Sequence, residues 1–222
     1  MTTLTEPPRA FVPATVAMGV AHLRATDETL ACVIEAVGPF HLALQPDVFH
    51  ALAHAILGQQ ISVAAQAAVL KRVRALFAID GDGFATPEQL RATPDEDLRA
   101  AGCSRQKIAY LKDLAAHVAD RRLDLARLPA LPDEAVIEAL TAVKGIGRWT
   151  AEMVLIFSLG RLDVWPVDDL GIVDAVRRVW DLPAPPTRQD LVARAEPWRP
   201  YRTLASWYLW QRRRQLLGAP AR

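Results

Sequence analysis

The stretch LTAVKGIGRWTAEMVLIF, residues 140–157, sets two glycines one residue apart between two apolar runs. Ahead of it, PDEAVIEALTAVK carries Val136, Ile137, Leu140 and Val143 on helical spacing, and the segment that follows, 150–159, is nearly all apolar. The pattern predicts two helices parted by a Gly-Ile-Gly turn. A dinucleotide fingerprint is excluded, because the full G-x-G-x-x-G after a strand is absent. Glycine in such a break serves a helix C-cap and a tight turn. The same geometry has a chemical use: a second helix opening at about Trp149 or Thr150 turns the unpaired amides of its first turn outward, where phosphate oxygens bind.

Outward from this break the chain keeps to helical spacings. DETLACVIEAVG opens on a cap residue, Asp27, carries Leu30, Val33, Ile34 and Val37 at intervals of three and four, and stops at Gly38. PDVFHALAHAILGQQISVAAQAAVLKRVRALF predicts two helices with a bend near Gly58, and TPEQLRA and TPDEDLRAAG each pair a threonine cap with proline at the first helical position. SRQKIAYLKDLAAHVADRR aligns Ile108, Leu111, Leu114 and Val118, while DDLGIVDAVRRVW gives a helix starting at Asp168 and Asp169 with Ile172, Val176 and Val179 on its buried face. Residues 1–14 read as an irregular, proline-containing lead-in, with helix from Val16. No alternating run is long enough for a sheet. The expected class is all-α.

With 222 residues and 51% hydrophobic content, the chain can build one substantial globular unit or two small lobes. Cys32 and Cys103 are its only cysteines, too few for a disulfide framework or a four-thiolate metal cluster, and a reducing compartment is expected. No run approaches the roughly 18 apolar residues of a membrane span. The start, MTTLTEPPRAFVP, lacks the basic and apolar regions of a signal peptide, so a cytoplasmic protein with no membrane partner is expected. A formal net charge of +1 means that an anionic partner must be met by a local cluster or by backbone donors. His50 and His54 share a helix face, yet no glutamate lies between them and no third ligand is evident, so a zinc site is not expected.

Four segments in one order carry a resemblance. AILGQQIS (55–62), the double-glycine stretch, VWPVDDLGIVDAV (164–176) and EPWRPYRTLASWYLW (196–210) resemble the helix-hairpin-helix DNA glycosylases, in particular the alkylation-repair branch of 3-methyladenine DNA glycosylase II. The likeness runs from roughly Asp47 to Trp210. It implies a two-lobed all-α glycosylase domain over 1–222 with an interlobe active-site cleft. The central lobe would hold the hairpin over 48–165, and the second lobe would join 15–47 to 166–222. It implies a monomer whose partner is double-stranded DNA containing alkylated bases. Fuller bacterial relatives carry an extra β-rich domain at the N-terminus, which this chain is expected to lack or to have in reduced form.

On this resemblance the break offers the backbone N–H groups of Gly145, Gly147 and their neighbours to a DNA phosphate, a contact that fixes register without reading sequence. Arg148 and Thr150 belong to the same DNA-binding set. The family's catalytic aspartate matches Asp169, with Asp168 as the alternative; read from the residues alone, both suit helix caps. Cleaving an N-glycosidic bond passes through an oxocarbenium-like state, and a fixed carboxylate beside the anomeric carbon stabilises that charge and orients water. Bifunctional members place a Schiff-base lysine second after the last hairpin glycine. Here Trp149 stands there and Lys144 precedes the hairpin, so a simple hydrolase without lyase activity is expected.

The base pocket implied by the resemblance is lined by Trp149 and Trp210, with Met153 where the nearest relatives tend to have an aromatic residue. Taken singly, either tryptophan suits ordinary core packing equally well. For the space left by a flipped base, Gln59 faces the gap by resemblance, with Gln60, Ser104 and Arg105 as further candidates; either glutamine equally suits a buried hydrogen-bonding role. Arg148, Arg199, Arg202 and the run Arg212–Arg214 could meet phosphates or form solvated faces. No organic cofactor is expected. Relatives bind a monovalent cation through hairpin carbonyls, which here would lie near Gly145 and Gly147.

The expected activity is hydrolysis of alkylated bases, of the 3-methyladenine and 7-methylguanine type, from DNA for base excision repair, with base flipping. Rival readings are a catalytically silent DNA-binding protein that recognises damage, a glycosylase for a different lesion, and an all-α protein unrelated to DNA.

Overall fold

A computed structural model describes residues 11–79, 81 and 83–218, and every regular element among them is helical. The chain divides into two compact units, one comprising the described residues up to Leu44 together with those from Leu155 onward, the other Gln45–Val154. The expected central-lobe boundary at 165 differs from this division. The segment after Leu155 belongs with the C-terminal helices because Thr203 ties it down, its amide donating to Leu162 O at 2.9 Å and its hydroxyl to Arg161 O at 2.7 Å.

In the first unit, α1 (Pro13–Thr26) and α2 (Glu28–Val37) are joined by Asp27, whose side chain accepts from the amide of Leu30. Proline at the first position of α1 starts that helix three residues earlier than the apolar pattern alone suggests. The expected lead-in over 1–14 lies mostly outside the described residues. Both helices pack against the C-terminal helix α12 (Arg202–Leu216), which also pairs with α10 (Leu170–Val179). α10 buries Ile172, Ala175 and Val176; Val179, expected inside, is only partly buried because the helix ends there. Trp198 is fully buried at the centre, and its indole N–H donates to Asp27 Oδ2 at 3.2 Å.

The second unit contains α3 (Val48–Gly58), α4 (Val63–Leu76), α5 (Pro87–Ala92), α6 (Asp95–Ala100), α7 (Arg105–Ala119) and α8 (Asp133–Thr141). The division from the first unit falls within α9 (Arg148–Phe157). The helix starts follow local chemistry. Asp47, Ser62 and Ser104 each accept an amide three residues on, and Thr86 with Gln89 forms a reciprocal capping box. α7 is the pillar, packing against α3, α5 and α6 through an apolar stripe that includes Ile108, Leu111 and Leu114. α8 buries Val136, Ile137 and Leu140, and removing one such leucine side chain would cost about 2–5 kcal/mol.

Candidate active site

Between α8 and α9 the chain turns through residues 142–147. Gly145 holds φ at +83°, and a β-carbon there would stand 2.2 Å from Cδ2 of Tyr110, so the turn rests on that ring in a conformation only glycine adopts readily. Gly147 differs. It is exposed, a β-carbon added to it meets nothing within 4 Å, and its φ lies outside the left-handed range. Packing within the protein therefore gives no reason for glycine at 147, whereas close approach of an outside group would. α9 begins at Arg148, one residue before the expected start, and its N-terminal amides open next to this bare backbone.

The side chains around the turn depart from the sequence assignments. Gln59 donates from Nε2 to Gly145 O at 2.8 Å and so braces the hairpin, the hydrogen-bonding role that its residue type equally suits. Its neighbour Gln60 is exposed on a left-handed residue with φ 59° and is the glutamine presented outward. Thr150 is buried, at 7% exposure, because it shares the inward face of α9 with Val154 one turn later; a side-chain contact to DNA is thereby removed. Arg148 donates to Glu134 through both terminal nitrogens, at 3.0 and 2.6 Å, and to Glu152 through Nε at 3.1 Å. Hydrogen bonding to that guanidinium holds the Glu134 carboxyl below its usual range. Ser104 caps α7, and Arg105 is exposed at its first position. That loop is fixed by Arg72, which donates to Ala101 O at 2.8 Å, and by Lys107, which donates to Leu57 O at 2.7 Å.

In the first unit, Asp169 is itself the cap of α10, accepting from the amide of Ile172 at 2.8 Å. The same oxygen, Oδ1, accepts from the indole N–H of Trp210 at 3.0 Å. Cap and candidate catalytic carboxylate are one residue, while Asp168 is turned to an ion pair with Arg188. Gly171 permits this closeness, since a β-carbon there would lie 2.9 Å from Asp169 Oδ1 and 3.3 Å from Trp210 Cδ1. Phe157 stacks on Trp210 with centroids 5.8 Å apart and planes at 23°. Leu170, next to Asp169, is 81% exposed.

Trp149, Met153 and Phe157 recur one turn apart along α9 and share a face of that helix. Trp149 is 46% exposed, an unusual position for so large an apolar ring, and Met153 is partly buried. Phe157 and Tyr110 are additions to the expected residues: the spacing of Phe157 from Trp149 marks it in the sequence, whereas no local pattern marks Tyr110.

Of the arginines that could meet phosphates or form solvated faces, Arg199, Arg202 and Arg213 pair with carboxylates of their own unit. Arg199 and Arg202 both bind Asp163, at 2.8 and 2.6 Å, and Arg213 binds Asp174 at 2.7 Å. His50 stacks on Phe84, and among the described residues no group of three histidine, cysteine or acidic side chains is placed to hold a metal ion. No helix among the described residues is long and apolar enough to cross a membrane.

Comparison with known proteins bears on this geometry. Residues 53–200 match the family described as HhH-GPD superfamily base excision DNA repair protein. DNA-3-methyladenine glycosylase 1 of Schizosaccharomyces pombe is 38% identical over 195 residues, covering 86% of this chain and 84% of that protein. The crystal structure of a DNA-3-methyladenine glycosidase from Bacillus halodurans superposes with a TM-score of 0.82 at 36% identity, covering 96% of this chain and 95% of that one. The Schizosaccharomyces pombe 3-methyladenine DNA glycosylase in complex with abasic DNA superposes with a TM-score of 0.73 at 35% identity, covering 87% and 95%. This chain belongs to the HhH-GPD superfamily of base excision DNA repair proteins.

Proposed function

We propose that this protein is a monofunctional DNA glycosylase that hydrolyses the N-glycosidic bond of alkylated purines in double-stranded DNA, leaving an abasic site. The observation that carries the reading is the carboxylate of Asp169, fixed on one oxygen by Ile172 and Trp210 at the start of α10. A preorganised group of this kind contributes about 3–4 kcal/mol toward a transition state in which the sugar becomes cationic.

The chemistry balances without a cofactor. The electron pair of the breaking C1′–N bond neutralises the cationic base as it leaves. Water supplies the hydroxyl that replaces it, and the water's proton passes to the carboxylate or to solvent. The base's own positive charge weakens the bond. That charge also favours stacking on an electron-rich indole by about 0.5–2 kcal/mol, the role proposed for Trp149 with Met153 beside it on α9. Damaged bases cost less to extrude from the stack. Gln60, exposed in the turn after α3, and Arg105, exposed at the first position of α7, are the residues proposed to fill the vacated space.

The hairpin amides at Gly147 and Arg148 are proposed to grip a backbone phosphate, with the Gly147 backbone laid bare for its approach. A monovalent cation at this turn fits the donor set. Gly145 O accepts from Gln59 and Gly147 O accepts from the amide of Ala151, and a carbonyl has a second lone pair. No step of the reaction is routed through it. Trp149 at the lyase position of bifunctional relatives supports simple hydrolysis. The protein is proposed to act as a cytoplasmic monomer.

The test is direct. Purified protein is incubated with duplex DNA methylated on its purines, and released bases are identified by chromatography and mass spectrometry. Release of free 3-methyladenine and 7-methylguanine is expected. Salt-sensitive binding to this DNA without release would favour the silent damage-recognition protein, and release confined to oxidised or mispaired bases would move the substrate class.

A further inference from the structure

The double-glycine turn is held from its inner side by a carboxylate. Asp113, near the middle of α7, accepts the backbone N–H of Lys144 on Oδ2 at 2.8 Å. Gln59 gives a hydrogen bond to the next carbonyl, that of Gly145, at 2.8 Å, and the ring of Tyr110, one turn before Asp113, lies under Gly145. Three side chains distant in sequence thus fix one amide, one carbonyl and one Cα of the same turn. Their combined effect is directional. The polar groups of the turn at Lys144 and Gly145 are engaged by the protein, and the exposed backbone at Gly147 is the part of the turn that an outside anion can approach.

Asp113 is itself held in place. Arginine can only donate, so Arg122 Nη1, 2.8 Å from His117 Nε2, makes that nitrogen the acceptor and puts the ring proton on Nδ1. From there His117 faces its own helix, 2.8 Å from Asp113 O and 3.3 Å from Asp113 Oδ2. Lys144 Nζ stands 3.9 Å from the other oxygen, Oδ1.

A negative charge beside a phosphate-binding turn is a liability, since it repels the anion that the turn receives. Its presence there needs a compensating benefit, and the short bond to the Lys144 amide supplies one. We infer that Asp113 is a positioning residue for DNA binding. It sets the hairpin amides in their phosphate-gripping arrangement, and this benefit outweighs the electrostatic penalty of its charge. The inference rests on the turn's being a DNA grip. It assigns the role to a side chain on another helix that does not itself touch DNA.

Two variants separate the possible roles. Asp113→Asn removes the charge and keeps a side-chain oxygen able to accept from Lys144, whereas Asp113→Ala removes both. Dissociation constants are measured by fluorescence anisotropy on a labelled duplex carrying a stable abasic-site analogue, well below each variant's unfolding temperature. A positioning role predicts opposite signs: Asp113→Asn binds as tightly as the wild type or tighter, and Asp113→Ala binds roughly 5- to 10-fold more weakly, the size of one lost hydrogen bond.

In single-turnover reactions on methylated DNA, Asp113→Ala should raise the half-saturating enzyme concentration by a similar factor. Its rate at saturation should shift less than about twofold. Tighter binding by both variants would show that the charge alone matters and overturn the inference. Unchanged binding by both, with only a lowered unfolding temperature for Asp113→Ala, would reduce Asp113 to a fold stabiliser and overturn it equally. Absence of salt-sensitive duplex binding by the wild type would remove the phosphate grip itself, and the brace with it.

Discussion

The indole N–H of Trp210 donates to Asp169 Oδ1, the same oxygen that caps α10 through the amide of Ile172. Two donors on one atom hold the carboxylate in a single orientation, and Phe157 stacked on Trp210 steadies one of them. Trp210 therefore orients the candidate catalytic carboxylate. Trp210→Phe keeps an aromatic face for Phe157 and loses the donor. Base release under single turnover should fall about 10- to 100-fold, the cost of one hydrogen bond to a charged group, while DNA binding changes little. An unaltered rate would separate Trp210 from the chemistry.

Asp169→Asn isolates the charge from the cap. The amide oxygen can still accept from Ile172 and Trp210, so the unfolding temperature and the affinity for abasic-analogue DNA should remain close to wild type. Base release should drop several hundred-fold, in line with the loss of about 3–4 kcal/mol of electrostatic stabilisation. Asp169→Ala would in addition lower stability by about 1 kcal/mol through the missing cap. Comparable release by Asp169→Asn and wild type would disprove the assignment.

Much of the scaffold was readable in the residues because its signals are local. Asp27 and Thr86 announce their helices by capping, and Gly145 marks a turn that a side chain could not make. The candidate carboxylate at 169 was reached by resemblance and its cap role by residue type, whereas the second donor to the same oxygen, Trp210, lies 41 residues away. Long-range partnerships left no local trace. Nothing near Gln59 shows that it will reach Gly145, and nothing near Arg202 shows that Asp163 will take its charge. For Thr150 the helical period carries the signal, since it lies one turn from Val154 and both side chains are buried. Among the aromatics of α12, composition could not distinguish Trp207, buried against Phe40, from Trp210, which reaches Asp169.

Lys144 is the lysine nearest the hairpin glycines, and its backbone amide is bound to Asp113 with its side chain toward the same carboxylate. A Schiff base with the sugar needs an amine at the reacting carbon. Borohydride added during turnover should therefore trap no covalent protein–DNA adduct on denaturing gels. A trapped band, lost in Lys144→Ala, would make the enzyme a lyase.

The two hairpin glycines should respond differently to the same substitution. Gly145→Ala forces a side chain into left-handed backbone and into the Tyr110 ring, so stability and DNA affinity should both fall. Gly147→Ala meets nothing in the protein, so its unfolding temperature should match wild type. If a phosphate occupies the open space above residue 147, a methyl group there should weaken duplex binding by about tenfold, or roughly 1.4 kcal/mol. Wild-type affinity in Gly147→Ala would place the phosphate elsewhere.

The stability of the first unit should carry an acid-sensitive component from Asp174. Its carboxyl is lowered from 3.8 to about 2, first by the hydrogen bond from Arg178 and then by those from Arg213 and Arg177, against the opposing effect of partial burial. A carboxylate with a depressed folded-state value stabilises the fold above its unfolded value and loses that contribution as pH falls through the folded one. The window is therefore from about pH 4 down to about pH 2. Asp174→Asn lacks the titrating group, and every other carboxylate is common to both proteins. The difference in urea midpoint between wild type and Asp174→Asn should favour wild type at pH 5 and shrink steadily toward pH 2. Because the group is partly exposed, the difference should also narrow with added salt, as screening weakens the pairs of Arg213 and Arg178 with Asp174. A difference that stayed constant from pH 5 to pH 2 would mean that packing around residue 174, and not its charge, joins α10 to α12.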